Sequence, residues 1–281
     1  MNENKQQVEC CVVSCEKPLD EKYWNDQYAA NTTGWDLGAV SPPIAQYVDA
    51  ISDKSISILI PGCGNAYEAN YLLDKGFTNV TVIDIAPLAV ENLRSKFGGR
   101  SISILHGDFF LHEGKYDLIL EQTFFCAIPP SLRRRYVDKM HSLLKENGIL
   151  AGLLFNRSFE KSPPFGGNKD EYEDLFANSF HFKHFETCSN SIAPRKNTEL
   201  WIELQKNSEV MLTLFTFEGI TCSGCMNSVK ADLMSVKGLL HMSFSADFSE
   251  VLVVSDEVVS ENDLNDALGK GSKYKVKNAI L

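Results

Sequence analysis

The sequence predicts an α/β protein: an open, mostly parallel sheet with helices on both faces and one antiparallel strand, then a small α+β unit. Three observations predict it. Helical and strand patterns alternate from residue 19 to 206, the signature of a parallel sheet wound with helices. The run SILIPGCG at 57–64 is an apolar stretch stopped by Pro61 and Gly62, the pattern of a strand buried on both faces. From residue 212 the order becomes strand, helix, two strands, helix, strand, the βαββαβ order of a ferredoxin-like unit.

Residues 1–18 read as a flexible tail carrying Cys10, Cys11 and Cys15. In the first unit, 19–206, the patterns predict strands at 56–60, 80–84, 102–106, 116–121, 148–155, 181–188 and 199–205. Helices are predicted at 41–51, 66–75, 87–97, 130–146 and 169–178. The loop NSIAPRKNTE joins the last two strands with no helix between, so one of them runs against the rest. Arg133-Arg134-Arg135, the only basic cluster, reads as the solvated face of its helix. Residues 207–211 form a polar linker. The second unit, 212–281, predicts strands at 212–218, 239–245, 249–254 and 274–278 with helices at 223–235 and 260–268. At roughly 70 residues it is near the lower size for an independent core.

The bulk composition narrows the function. The chain has 281 residues, 44% hydrophobic and 23% charged, with formal net charge −10. That acidity opposes non-specific binding to phosphate backbones, so nucleic acid is not expected as a partner. No stretch approaches the ~20 apolar residues of a membrane helix, and no membrane partner is expected. The first residues lack the pattern of a signal peptide, which predicts a cytoplasmic protein. Eight cysteines in that setting argue for thiols and metal ligands over disulfides.

The glycine turn after the first strand predicts a cofactor site. Gly62 and Gly64 let the backbone turn tightly with no β-carbon facing a ligand. A helix opening just beyond presents free N–H groups. Asp84 ends the next strand, VTVID, where a carboxylate can accept both hydroxyls of a ribose. A nicotinamide dinucleotide and S-adenosylmethionine compete for such a turn. The dinucleotide fingerprint needs a third glycine, but Tyr67 stands there and Glu68 follows. A carboxylate beside the turn suits a sulfonium better than a pyrophosphate. The third strand leads into Asp108 and Phe109, an acid to accept from an adenine amine and a ring to stack on it. Gly62, Asp84, Asp108 and Glu121 thus mark four successive strand ends, where ligands of open parallel sheets sit.

Residues 23–205 resemble the thiopurine S-methyltransferase family, and within it the branch of plant halide and thiol methyltransferases. The resemblance rests on Tyr23-Trp24-Asn25-Asp26-Gln27-Tyr28, GWDLGAVSPPI at 34–44, LIPGCG at 59–64, VIDIA at 82–86, GDFF at 107–110, EQTFFCAIPPSLR at 121–133, LLKENGIL at 143–150 and PPFGG at 163–167. It implies a class I methyltransferase fold binding S-adenosylmethionine. The cofactor contacts it implies are Trp24, Tyr28, Trp35, Gly62, Asp84, Asp108, Phe109 and Gln122. Tyr28 stands where the plant branch has tryptophan, and Gln122 where relatives have tyrosine or arginine. A thiolate, hydrosulfide, thiocyanate or halide acceptor is already a soft nucleophile and needs no strong general base, so rate would come from positioning and desolvation. Trp24, Phe124, Phe125 and Pro163-Pro164-Phe165 are candidates for a lid. Cys63 and Cys126 read as small buried hydrophobes.

In the second unit GITCSGC at 219–225 follows a strand and opens a helix. Cys222 and Cys225 at this spacing can chelate one soft ion, Cu(I), Zn(II) or Hg(II), and a helix N-terminus favours the thiolate. Motif and element order resemble the heavy-metal-associated domains of copper chaperones and metal-pumping ATPases. Ile220 stands where those relatives commonly have methionine, and Tyr274 falls where they place a residue beside the metal loop. A redox pair and a non-binding vestige are the alternatives. The leading expectation is an S-adenosylmethionine-dependent methyltransferase for a small thiol, chalcogenide or other soft anion, fused to a soft-metal-binding module. A metal sensor or chaperone with an inactive methyltransferase domain is one rival. A methyltransferase for organic molecules such as thiopurines is the other.

Overall fold

The structure is a computed structural model and describes residues 18–279. Cys10, Cys11 and Cys15 lie outside them. Strands β1 (Ile58–Pro61), β2 (Val80–Asp84), β3 (Ile102–His106), β4 (Tyr116–Gln122), β5 (Leu144–Phe155), β6 (Phe180–Thr187) and β7 (Glu199–Lys206) form one sheet in the order β3-β2-β1-β4-β5-β7-β6. β1 to β5 are parallel. β7 is antiparallel to both β5 and β6, as the missing helix between the last two strands predicts. Strand order reverses at β1 and β4, where diverging loops open a crevice at the carboxyl edge.

Helices α1 (Glu21–Ala29), α2 (Pro42–Ala50), α3 (Tyr67–Asp74), α4 (Pro87–Lys96), α5 (Arg133–Leu143) and α6 (Lys169–Phe176) flank this sheet. Alternate strand residues face opposite ways. Ile58, Ile60, Val80, Val82, Leu118 and Leu120 cluster with residues of α2, α3 and α4. Leu59, Ile83, Ile119, Leu150 and Leu154 cluster with residues of α5 and α6. The central strands are therefore apolar on both faces, which is why they read as unbroken runs.

Two differences from the sequence expectation have local causes. Helix α1 has no predicted counterpart. None of its residues is buried, so no apolar stripe marks it. Its signal is the cap, where Asp20 accepts from Tyr23 N at 2.9 Å. Helix α5 is shorter than the predicted 130–146. Pro130–Leu132 form a separate tight turn, and Leu144 already pairs with Tyr116 in the sheet.

A second sheet follows: β8 (Met211–Glu218), α7 (Ser223–Leu233), β9 (Leu239–Phe244), β10 (Glu250–Ser255), α8 (Glu261–Leu268) and β11 (Lys275–Asn278), with strand order β11-β8-β10-β9. Neighbouring strands are antiparallel. Phe215, Phe217, Val251 and Val253 face the helices and cluster with Val229, Leu233 and Leu264. The other face does not stay in water. Leu214 and Leu252 join the apolar core around α5, and Arg135 pairs with Glu250 at 2.5 Å.

The arginine cluster is therefore not a solvated face. Arg133 is only 1% exposed. It donates to Glu171 Oε1 at 2.6 Å and to Gly166 O at 2.8 Å, and its guanidinium lies 4.6 Å from the Phe125 ring centroid. Two charge-assisted bonds and a cation–π contact offset its desolvation. Arg133→Ala should cost about 2–4 kcal/mol of stability, read by urea unfolding.

Candidate active site

The glycine turn sits at the switch point. Gly62 and Gly64 have φ of +54° and +49°, left-handed conformations that favour glycine. A β-carbon on Gly62 would stand 2.2 Å from Phe124 Cδ2, and one on Gly64 would stand 2.9 Å from the Tyr28 hydroxyl. Aromatic side chains thus lie directly on the turn. Asp84, at the end of β2, fastens it: Oδ2 accepts from Gly64 N at 2.8 Å and Oδ1 from Ala86 N at 2.9 Å. Burial pushes the Asp84 carboxyl up from its ordinary value, and these backbone N–H groups oppose the shift. A carboxylate has about four acceptor sites, so these bonds leave capacity for a ligand.

The turn opens into a cavity of about 800 Å³. Trp24, Tyr28, Trp35, Gly62, Asp84, Asp108 and Phe109 all line it. They come from α1, the loop after it and the ends of β1, β2 and β3, so the fold gathers seven of the eight predicted cofactor residues. Trp35 stands edge-on to both Trp24 and Tyr28, with centroids 5.6 and 6.0 Å apart. Asp108 Oδ1 accepts from Phe110 N at 2.8 Å. Phe109 is buried and edge-on to Phe124 at 5.1 Å.

Gln122 is set apart. It is absent from the cavity lining; its Oε1 accepts from Ser41 Oγ at 3.1 Å, while its buried Nε2 has no partner. Glu121 points into the core instead of the crevice. Its Oε1 accepts from Phe124 N and Phe125 N, both at 2.8 Å, and its Oε2 from the Tyr136 hydroxyl at 2.6 Å. Burial pushes it up to about 7, against those bonds. Glu68 is buried away from the cavity as well. Of the predicted lid, Trp24, Phe124, Pro163 and Pro164 line the cavity. Phe125 instead fills the core beside Tyr136 and Tyr172, and Phe165 lines a neighbouring hollow. Cys63 and Cys126 are buried, and burial raises both thiols.

Two arginines are among the cavity residues that escaped the sequence reading. Arg157 follows β5 by two residues, and Arg195 precedes β7. Both line the cavity beside Phe155, Phe159, Pro163 and Pro164. Their signal was position next to a strand end. Asp84 and Asp108 lie at or just beyond the ends of β2 and β3, and the two arginines lie next to the ends of β5 and β7, on the other side of β1 and β4 in the sheet.

The cysteine pair lies elsewhere, where β8 leads into α7. Cys222 Sγ donates to Cys225 Sγ at 2.8 Å, and Cys225 N donates to Cys222 Sγ at 3.2 Å. The bond from Cys222, with one from Tyr274, lowers Cys225 to about 7. Among the described residues no group of three or more histidine, cysteine or acidic side chains is placed to hold a metal ion. No helix among them is long and apolar enough to cross a membrane.

Comparison with known proteins agrees with this geometry. The thiopurine S-methyltransferase family model matches residues 19–214. A probable thiol methyltransferase 2 of Arabidopsis thaliana is 34% identical over 201 residues, covering 68% of this chain and 88% of that protein. Thiocyanate methyltransferase 1 of Brassica oleracea is 29% identical over 187 residues, covering 64% and 80%. In fold, the chain is similar to the Burkholderia thailandensis 1,6-didemethyltoxoflavin-N1-methyltransferase, solved with S-adenosylhomocysteine bound. The TM-score is 0.55 at 16% identity, over 66% of this chain and 86% of that one. The chain belongs to the thiopurine S-methyltransferase family and is an S-adenosylmethionine-dependent methyltransferase.

Proposed function

We propose that residues 19–206 transfer a methyl group from S-adenosylmethionine to a small thiol, a chalcogenide or another soft anion. The observation that carries this reading is the charge of the cavity lining, with Asp84 and Asp108 by the ends of β2 and β3 to suit a cationic donor, and Arg157 and Arg195 by the ends of β5 and β7 to suit an anionic acceptor. Bound S-adenosylmethionine supplies an electrophilic methyl group. Gly62 and Gly64 admit it close to the backbone. Asp84 accepts from its ribose hydroxyls, Asp108 from its adenine amine, and Phe109 packs on the base. Trp24, Tyr28 and Trp35 offer aromatic faces to its positive charge. Ile128, Pro129, Pro163 and Pro164 keep water from the acceptor end. A soft anion needs no proton removed, so no side chain acts as general base.

The test is a screen with labelled donor against hydrosulfide, thiocyanate, iodide and aryl thiols. Transfer to sulfur is expected. Absence of transfer to every one of these acceptors would overturn the reading.

We further infer that residues 212–281, after the linker 207–211, are a ferredoxin-like, heavy-metal-associated module. Adjacent thiols, one of them acidified, suit a soft ion such as Cu(I), Zn(II) or Hg(II). Metal uptake by the reduced full chain should fall by one ion in Cys222→Ser/Cys225→Ser. Equal uptake by variant and wild type would remove the module. Alkylation of Cys225 by iodoacetamide, read by peptide mass, should rise to half its plateau near pH 7.

A further inference from the structure

Beside the first cavity lies another of about 560 Å³. Arg157, Phe159 and Pro164 line both, so these side chains are the wall between them. Asn156, Ser158, Ser162 and Asn168 make much of the rest of the second cavity polar, and no acidic side chain lines it. Its shape is set by a loop held at three points. Gly167 N donates to Arg157 O at 3.0 Å, and Phe165 N donates to Cys126 O at 2.6 Å. Arg133 Nη2 donates to Gly166 O at 2.8 Å. A β-carbon on Gly166 would stand 1.9 Å from Arg157 O, so the two chain segments touch along their backbones. The hollow is built into the fold, as ligand subsites usually are.

Arg157 is the charged group of that wall. Its Nε donates to Ser158 O at 3.3 Å, and its guanidinium lies 4.7 Å from the Phe159 ring centroid. Arg133, Arg135 and Arg195 each pair with a glutamate. Arg157 makes no ion pair among the described residues. A planar guanidinium without a carboxylate matches a ligand carboxylate in geometry and charge. Arg195, by contrast, is occupied by Glu199 and by Trp35 O.

We propose that the second cavity is an acceptor subsite, and that the methyl acceptor is an organic thiol bearing a carboxylate. This rests on the S-methyl-transfer reading above. The thiolate reaches into the first cavity, and the carboxylate meets Arg157 and the polar loop. The acceptor sulfur forms the new S–CH3 bond. The bond between that methyl and the donor's sulfonium breaks, its electron pair staying with the donor sulfur. The thiol proton has already gone to solvent. A bare ion would leave the second cavity unused.

Matched acceptors test the subsite. KM for 3-mercaptopropionate and for propanethiol is compared at equal thiolate concentration in wild type, Arg157→Gln and Arg157→Lys, with hydrosulfide as a third acceptor. Wild type should favour the acid by about tenfold, the order a charge-assisted pair supplies. Arg157→Gln should bring the ratio to about one, and Arg157→Lys should restore part of it. A ratio unchanged in Arg157→Gln, or a preference for propanethiol in wild type, overturns the subsite. Turnover of hydrosulfide with a wild-type ratio near one removes the subsite alone. No transfer to any of the three sulfur acceptors removes the parent reading.

Discussion

Asp84→Asn should weaken binding of S-adenosylmethionine by about 10- to 150-fold. The estimate follows from losing hydrogen bonds to a charged acceptor, worth about 1.5–3 kcal/mol. Asp84 does two jobs at once. It fastens the glycine turn through Gly64 N and Ala86 N, and it offers its remaining lone pairs to the cavity. The amide keeps one carbonyl oxygen but turns the other position into a donor, which faces either a backbone N–H or the ligand's hydroxyls. Calorimetric titration with the donor reads the effect. Far-ultraviolet circular dichroism should show the fold retained. Unchanged affinity would remove Asp84 from the donor site.

Glu121→Ala should destabilise the protein by at least about 3 kcal/mol, because Phe124 N, Phe125 N and the Tyr136 hydroxyl would each lose a buried acceptor at about 1–3 kcal/mol. Activity should fall with stability, since the same carboxylate holds Phe124 over Gly62. Glu121→Gln separates shape from charge. Burial pushes Glu121 up to about 7 from 4.5. The folded chain therefore keeps this proton to higher pH than the unfolded chain. Between those values the folded state binds more protons, so stability falls as pH rises. This contribution is fully present below about pH 4.5 and lost above about 7, and its size is about 3 kcal/mol. The amide still accepts from both N–H groups and can donate to Tyr136. Urea unfolding from pH 4.5 to 8 should show a steeper fall in wild type than in Glu121→Gln, where the raised carboxyls of Asp138, Glu68 and Asp84 remain. Parallel curves would show that Glu121 does not titrate there.

The central strands β1, β2 and β4 were legible because they are buried on both faces and read as apolar runs. Gly62, Asp84, Asp108 and Phe109 were legible because ligand sites in such sheets lie at strand ends, so the chain positions of the strands locate the site. Trp24, Tyr28 and Trp35 needed the family resemblance. They sit on or after α1, none of whose residues is fully buried, so no apolar core stripe announces it. The same strand-end logic misled at Glu121. Position along a strand does not say to which side the last carboxylate turns, and here two loop N–H groups and a tyrosine draw it inward. Arg133 failed for a related reason. Three consecutive arginines on a helix point in three directions, and the first meets Phe125 and Glu171, partners distant in sequence. The contact of Leu214 and Leu252 with the α5 core was hidden too, since alternation shows that a strand has an apolar face but not what covers it.

Calorimetric titration of the purified chain with S-adenosylmethionine, and separately with nicotinamide adenine dinucleotide, tests the central claim most directly. One equivalent of the adenosyl sulfonium should bind, and the dinucleotide should not. Heat from the dinucleotide alone would contradict the assignment of the crevice between β1 and β4.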